Sequence, residues 1–335
     1  MKNIIFLLKT LLLVALMASC NTKPKVGLLM DTLDIDRWEK DKQAFEERIT
    51  ELGGIPMVRV AEGSSPKQLQ QAKELLYDKV DVLVVIPVDL HASRDIVREA
   101  HDKEVPVISY DRMIRDCDLD YYVSTDNINI GELQAEYLSK LTPQGKYALI
   151  GGAQKDYNAT LLHLGWMNVL QPLIDKGDIE IVLDKFVDNW EGEESFAIMN
   201  EYLSNEDNEL DVVIAGNDEL AGGVIRALED HNMVRDVLVA GQDAELEAIR
   251  NIVAGFQTIS IYKPIEALAQ SAADMAMKLA REEGSINTNS TVNNGKKLVP
   301  SLLLSSQVVN KDNIDLTVIS EGFMKEEDIY EIEQQ

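Results

Sequence analysis

Residues 82–111 read VLVVIPVDLHASRDIVREAHDKEVPVISYD. Val82-Leu83-Val84-Val85-Ile86 is an unbroken apolar run rich in β-branched residues. Residues 92–103 carry helical periodicity, and Val105-Pro106-Val107-Ile108 is apolar again. A strand without polar alternation is buried on both faces, and a helix between two such strands is a crossover. The stretch therefore predicts a parallel sheet covered by helices on both sides. Each strand also ends on a carboxylate, Asp89 after the first and Asp111 beside Arg112 after the second.

The same unit repeats in both directions. Toward the N-terminus, apolar strands are predicted at 26–30 and 57–60, with helices over 36–52 and 65–78; Ser65-Pro66 places a capping residue before a proline in the first helical turn. Toward the C-terminus the pattern restarts, with strands at 147–150, 179–183, 212–215, 237–240 and 258–261. Helices are predicted over 161–174, 195–204, 220–230, 246–253 and from 265 to about 283, followed by strands near 302–304 and 317–319. Two α/β halves meeting near Ser124-Thr125-Asp126-Asn127 imply two lobes. With 335 residues, 45% of them hydrophobic, the chain can fill two cores.

Ligands of open parallel sheets bind beyond the carboxyl ends of the strands. In the first half those ends deliver Asp31, Arg37-Trp38-Glu39-Lys40, Asp89 and Asp111-Arg112. In the second they deliver Asn158, Asp188-Asn189-Trp190, Asn217-Asp218, Gln242-Asp243 and Lys263. Sugar hydroxyls both donate and accept, so they suit carboxylates and amides set beside guanidinium and ammonium groups. Trp38 and Trp190, one in each half, offer planes for a sugar's C–H face, whereas Trp166 lies mid-helix and reads as core. Arg37, Lys40, Arg112 and Lys263 balance Asp31, Asp111, Asp218 and Asp243, which favours a neutral polyol over a phosphorylated one.

A formal net charge of −26 repels phosphate backbones and excludes nucleic acid as a partner. The four histidines sit in helical stretches away from strand ends, and no nucleophile, zinc or phosphate-loop motif is present. Gly151-Gly152 and Gly222-Gly223 read as close-packing positions. The expectation is a binding protein without catalytic residues, metal or cofactor.

Lys2 and Lys9 flank an apolar run that ends at Met17-Ala18-Ser19-Cys20, which describes an export signal over residues 1–20. These last four residues resemble a lipobox, with Cys20 as the acylated residue of a periplasmic protein anchored to a membrane. Cys117 then has no partner, so disulfides are not expected to hold the fold.

Several motifs together resemble the periplasmic D-xylose-binding proteins of bacterial ABC importers, a branch of the type I periplasmic sugar-binding family. They are Arg37-Trp38-Glu39-Lys40-Asp41, Tyr110-Asp111-Arg112-Met113, Ser124-Thr125-Asp126-Asn127, Gly131-Glu132-Leu133-Gln134-Ala135, Gly241-Gln242-Asp243-Ala244 and Tyr262-Lys263-Pro264-Ile265. The resemblance runs from about Lys25 to Phe323. It implies a two-lobed fold with three crossings, the first lobe being 25–126 plus 264–291 and the second 127–263 plus 292–323. It also implies sugar contacts from Arg37, Lys40, Arg112, Asn158, Asn217, Asp243 and Lys263, with Asp111 and Asp218 beside them and Trp38 and Trp190 as stacking planes. A monosaccharide ligand, an inner-membrane ABC permease and a monomeric state follow from the same resemblance, with presentation of the sugar to a membrane receptor kinase as the alternative. Where relatives carry a small polar residue this chain has Tyr157, which is expected to narrow the pocket, and Asp89 departs from the usual pair.

Overall fold

A computed structural model describes residues 23–33, 36–205, 207–320 and 322–330; the expected signal segment with Cys20 lies outside the described residues. The first lobe begins with β1 (Lys25–Met30), α1 (Asp36–Glu51), β2 (Ile55–Val60), α2 (Ser65–Tyr77), β3 (Val82–Val85), α3 (Arg94–His101), β4 (Val107–Tyr110) and β5 (Tyr121–Thr125). The chain then crosses to build α4 (Asn127–Leu141), β6 (Gly145–Gly151), α5 (Tyr157–Asp175), β7 (Ile179–Phe186) and α6 (Gly192–Leu203). The second lobe continues with β8 (Val212–Ala215), α7 (Asp218–Asp230), β9 (Leu238–Ala240), α8 (Leu246–Ala254) and β10 (Ser260–Tyr262). The chain returns to the first lobe for α9 (Ile265–Ala280), β11 (Ser290–Asn293) and β12 (Leu298–Leu304). It finishes in the second with β13 (Gln307–Val309), a π-helical turn (Asp315–Ile319) and α10 (Glu326–Tyr330).

The first sheet runs β11-β12-β5-β4-β3-β1-β2 and is parallel except for the β11–β12 hairpin. Alternate residues of its strands face opposite helical layers, as the period of two requires. Leu28, Val82, Val84 and Ile108 pack with α1 and α9, while Leu29, Leu83, Val85 and Val107 pack with α2 and α3. The second sheet is parallel in the order β7-β6-β8-β9. It extends through the Ala240–Ile259 bridge to β10, which pairs antiparallel with β13. Trp166 is fully buried in this lobe, its indole donating to Gln134 Oε1 at 2.7 Å. The Gln134 amide donates to the carbonyls of Ala215 (3.1 Å) and Gly241 (2.9 Å), fixing two strand ends at the cleft.

Two expectations are corrected. Residues 292–304 belong to the first lobe, because β12 pairs with β5 from Ser301–Tyr122 to Leu304–Thr125. The hairpin is fastened there by Asn294, whose amide donates to Cys117 O at 2.9 Å. The third crossing thus falls at Ser305-Ser306, between β12 and β13. Residues 317–319 are helical: the Thr317 hydroxyl donates back to Asn313 O at 2.8 Å, and Thr317 and Val318 turn inward with Ile314 and Ile329. Three β-branched or apolar residues fit a strand and a single buried helical turn equally well.

Candidate functional site

The rims of the two sheets face each other across the crossings. On the first-lobe side, Arg37 sits in the first turn of α1 and is buried. Its guanidinium pairs with Asp41 one turn on (3.1 Å) and with Asp111 at the end of β4 (2.9 Å). Tyr110 donates its hydroxyl to Asp41. Burial alone would lower Arg37, but Asp111, Asp41 and Asp243 hold its pKa well above the ordinary value. Burial also drives Asp111 upward, and the positive charges of Arg37, Lys263 and Arg112 outweigh it, leaving this carboxyl below its usual range. Asp111 has φ +60, a left-handed conformation steadied by the hydroxyls of Tyr122 (2.8 Å) and Ser124 (2.7 Å) on its carbonyl. Next to it, Arg112 pairs with Asp31 of its own lobe and, at 2.8 Å, with Asp156 of the other. Both guanidinium groups lie over the Trp38 ring, at 4.4 Å and 5.7 Å from its centroid.

The second-lobe side is built from helix starts and one tight turn. Asp156 caps α5, accepting from Asn158 N at 2.9 Å, and the Asn158 amide reaches Asp111 Oδ1 at 3.2 Å. Burial raises Asp156 against the pull of Arg112. Asn217 caps α7 through Leu220 N at 2.9 Å. After β9, Asp243 receives Lys263 Nζ at 3.0 Å and Arg37 Nη1 at 3.6 Å. Trp190 packs against Gly152 and Gly216, which follow β6 and β8. A Cβ at Gly152 would stand 2.1 Å from the indole and one at Gly216 3.0 Å from it, so the ring needs both positions bare.

Together these groups line a space of about 40 Å³. Arg37, Trp38, Asp111 and Arg112 line it from the first lobe, and Asp156, Asn158, Trp190, Asn217, Gln242, Asp243 and Lys263 from the second. Through Arg112, Asp156, Trp190 and Asn217 it adjoins an outer cleft of about 380 Å³. Three lining cations meet three lining carboxylates, so the wall is neutral in sum. Among the described residues, the indole N–H groups of Trp38 and Trp190 and Gln242 Oε1 are buried without a protein hydrogen-bond partner. Buried polar atoms are rarely left so unless a ligand or water meets them. Chemically, the site offers donors and acceptors around a compact, uncharged, hydroxylated molecule.

Nine of the predicted site residues come together here; Lys40 and Asp218 do not. Lys40 is exposed, its ammonium 4.4 Å from the Phe323 ring. Asp218 is buried behind the wall, bonded to Gln257 (2.8 Å), Ser260 (2.7 Å) and Glu245 N (3.0 Å). Tyr157 does not narrow the pocket: it points at the first lobe, under the Arg115 guanidinium at 4.0 Å. Asp89 caps its own turn, accepting from the backbone of His91 and Ala92. Sequence reasoning placed Gln242 at a strand end without counting it among the sugar contacts, and missed Asp156 and Asp41 as site residues. Their signals were present: Asp156 stands where α5 needs a cap, and Asp41 lies one turn after Arg37.

Comparisons with known proteins agree on one family. The family model described as "Periplasmic binding protein domain" matches residues 26–284. The D-xylose-binding periplasmic protein of Escherichia coli (strain K12) is 42% identical over 328 residues, 98% of this chain and 99% of that protein. That of Haemophilus influenzae is also 42% identical, over 91% of this chain and 92% of its own. Among solved structures, a carbohydrate transporter solute binding protein from Chloroflexus aurantiacus in complex with D-glucose superposes with a TM-score of 0.85 at 29% identity. The match covers 92% of this chain and 98% of that one. A solute binding protein of an ABC transporter from Clostridium phytofermentans, with bound β-D-glucose, has a TM-score of 0.84 at 25% identity, covering 91% and 99%.

Proposed function

This chain belongs to the periplasmic binding protein domain family, and from that premise we propose that it is an exported receptor that closes two lobes around one monosaccharide and delivers it to an ABC importer. The observation that carries the reading is the charge-balanced space walled by both lobes and adjoining the outer cleft, with two indole N–H groups and a carboxamide oxygen left for a ligand. D-xylose is the sugar we assign, supported by the full-length identity to two D-xylose-binding proteins. A pentose has about ten heavy atoms, and small ligands gain at most about 1.5 kcal/mol per atom. Micromolar affinity, about −8 kcal/mol, therefore requires that most hydroxyls be paired, which a wall of charged and amide groups allows. Contacts from both lobes are complete only when the cleft is shut, so the sugar shifts the population toward the closed form.

The receptor binds without catalysing a reaction. Its residues 1–20 direct export to the periplasm, and Cys20 carries the lipid that holds it at a membrane. Labelling with a radioactive fatty acid tests the anchor: wild type takes up label and Cys20→Ala does not. A thermal-shift series over pentoses and hexoses tests the ligand, since a molecule bound only to the native state raises its apparent stability. Xylose is expected to raise the midpoint clearly and hexoses weakly. No shift with any pentose would overturn the assignment of xylose, and no shift with any sugar would overturn the receptor itself.

A further inference from the structure

Asn217 and Asp218 are neighbours at the start of α7, yet they face opposite ways. Asn217 lines the space between the lobes, and Asp218 lines neither that space nor the outer cleft. Asp218 points instead into the underside of the turn that carries Gln242 and Asp243. That turn is locally unfavourable, with Asp243 at φ +94 and Ala244 at φ +52, the region that side chains rarely adopt.

The Asp243 N–H donates to Ile261 O at 2.8 Å, and the other bonds that impose this shape converge on Asp218. Its backbone N–H donates to Gln242 O at 2.9 Å. Its Oδ2 accepts from Glu245 N at 3.0 Å and from the Ser260 hydroxyl at 2.7 Å, and Ser260 Oγ in turn accepts from Ala244 N at 3.0 Å. Its Oδ1 accepts from the Gln257 amide at 2.8 Å. The fit is close: a Cβ at Gly241 would lie 2.1 Å from Asp218 Oδ1, so the strand end can approach only as glycine. The Glu245 end of the turn and one of its two left-handed residues thus depend on a single carboxylate, and the Gln242 end on the backbone N–H of the same residue.

We propose that Asp218 is a positioning residue for the turn at 242–245, acting on the sugar through Gln242 and Asp243 without touching it, and that its ionised form is the one that holds the turn. The inference rests on the receptor function proposed above. The groups facing the carboxylate are a hydroxyl, a carboxamide and a backbone amide; the charged side chain that bears on it is Asp243, of like sign. Burial therefore pushes it up to about 7, despite the three hydrogen bonds. A neutral carboxyl that stays buried accepts more weakly than a carboxylate and brings an O–H to groups that are already donors, so the turn loosens as the proton binds.

The test pairs calorimetry on D-xylose from pH 5.5 to 8.5 with hydrogen exchange of the peptide 242–246 in the sugar-free protein. Wild type is expected to lose about fivefold to tenfold in affinity between pH 8 and pH 5.5, and Asp218→Asn to bind about tenfold more weakly at pH 8 with little pH dependence. Exchange at 242–246 should be faster in the variant at pH 8. Wild-type affinity at every pH in Asp218→Asn, or unchanged exchange, would overturn the proposal. If Asp218→Asn does not fold, Ser260→Ala gives the same directions with about threefold effects, and their absence overturns it too. Failure of the wild type to bind any sugar would count against the receptor function instead, and exchange alone would then decide the role of Asp218.

Discussion

The two walls of the cleft are organised by different forces. On the first-lobe wall, charged side chains hold one another: Arg37 between Asp41 and Asp111, Arg112 on Asp31, all packed against the buried Trp38. On the second-lobe wall, backbone holds side chains: helix caps set Asp156 and Asn217, and a tight turn sets Asp243. The difference teaches where each wall is vulnerable. Removing a charge from the first leaves its partners buried and uncompensated, whereas reshaping the backbone of the second misplaces groups that remain satisfied.

Arg37→Met probes the first wall most severely. It leaves Asp41 and Asp111 without their shared cation and is expected to cost about 3–5 kcal/mol of stability in urea denaturation. A loss below about 1 kcal/mol would break the contrast. On the second wall, Gly152→Ala forces the Trp190 ring off its seat. Overpacking of this kind costs about 1–3 kcal/mol of stability, so the urea midpoint should fall accordingly and xylose binding should weaken with it in calorimetry.

The walls are also expected to respond to pH with opposite sign. Asp111 is held below its usual range, so its contribution to stability is present above the unfolded-state value of 3.8 and disappears as pH falls through its lower folded-state value. Asp218 is raised from 3.8 to about 7, so its contribution is complete below 3.8 and is lost as pH rises through about 7. Urea denaturation should show a stability loss on the order of 1–3 kcal/mol between pH 5 and pH 8 that shrinks in Asp218→Asn. An equal slope in both proteins would remove Asp218 as its source. The smallest effect is expected from Lys40→Ala, which lies outside both walls: within about 0.5 kcal/mol in stability and in xylose affinity. A larger affinity loss would return Lys40 to the site.

Much of this arrangement is legible in the sequence because strand ends are. Apolar runs locate the strands, and the polar residues that follow them, Asp111-Arg112 or Asn217, then fall at the cleft by topology alone. What is not legible is direction and partnership. Asn217 and Asp218 are adjacent in sequence, and only the helix geometry decides which one faces the ligand space. Lys40 follows Trp38 by two positions, yet its long side chain finds Phe323. Residues 292–304 could have joined either sheet, and the choice came from Asn294 bonding to the loop at Cys117, a contact between residues far apart in the chain.

That late strand also constrains how the protein comes into being. Leu303 pairs with Ser124, so the first sheet cannot be completed until β12 has been made, about 180 residues after β5. Pairings so distant in sequence are slow to form. A growing or threading chain therefore lacks a finished first sheet until β12 emerges, and a chain ended before β12 leaves the edge of β5 bare, where another strand can add to it.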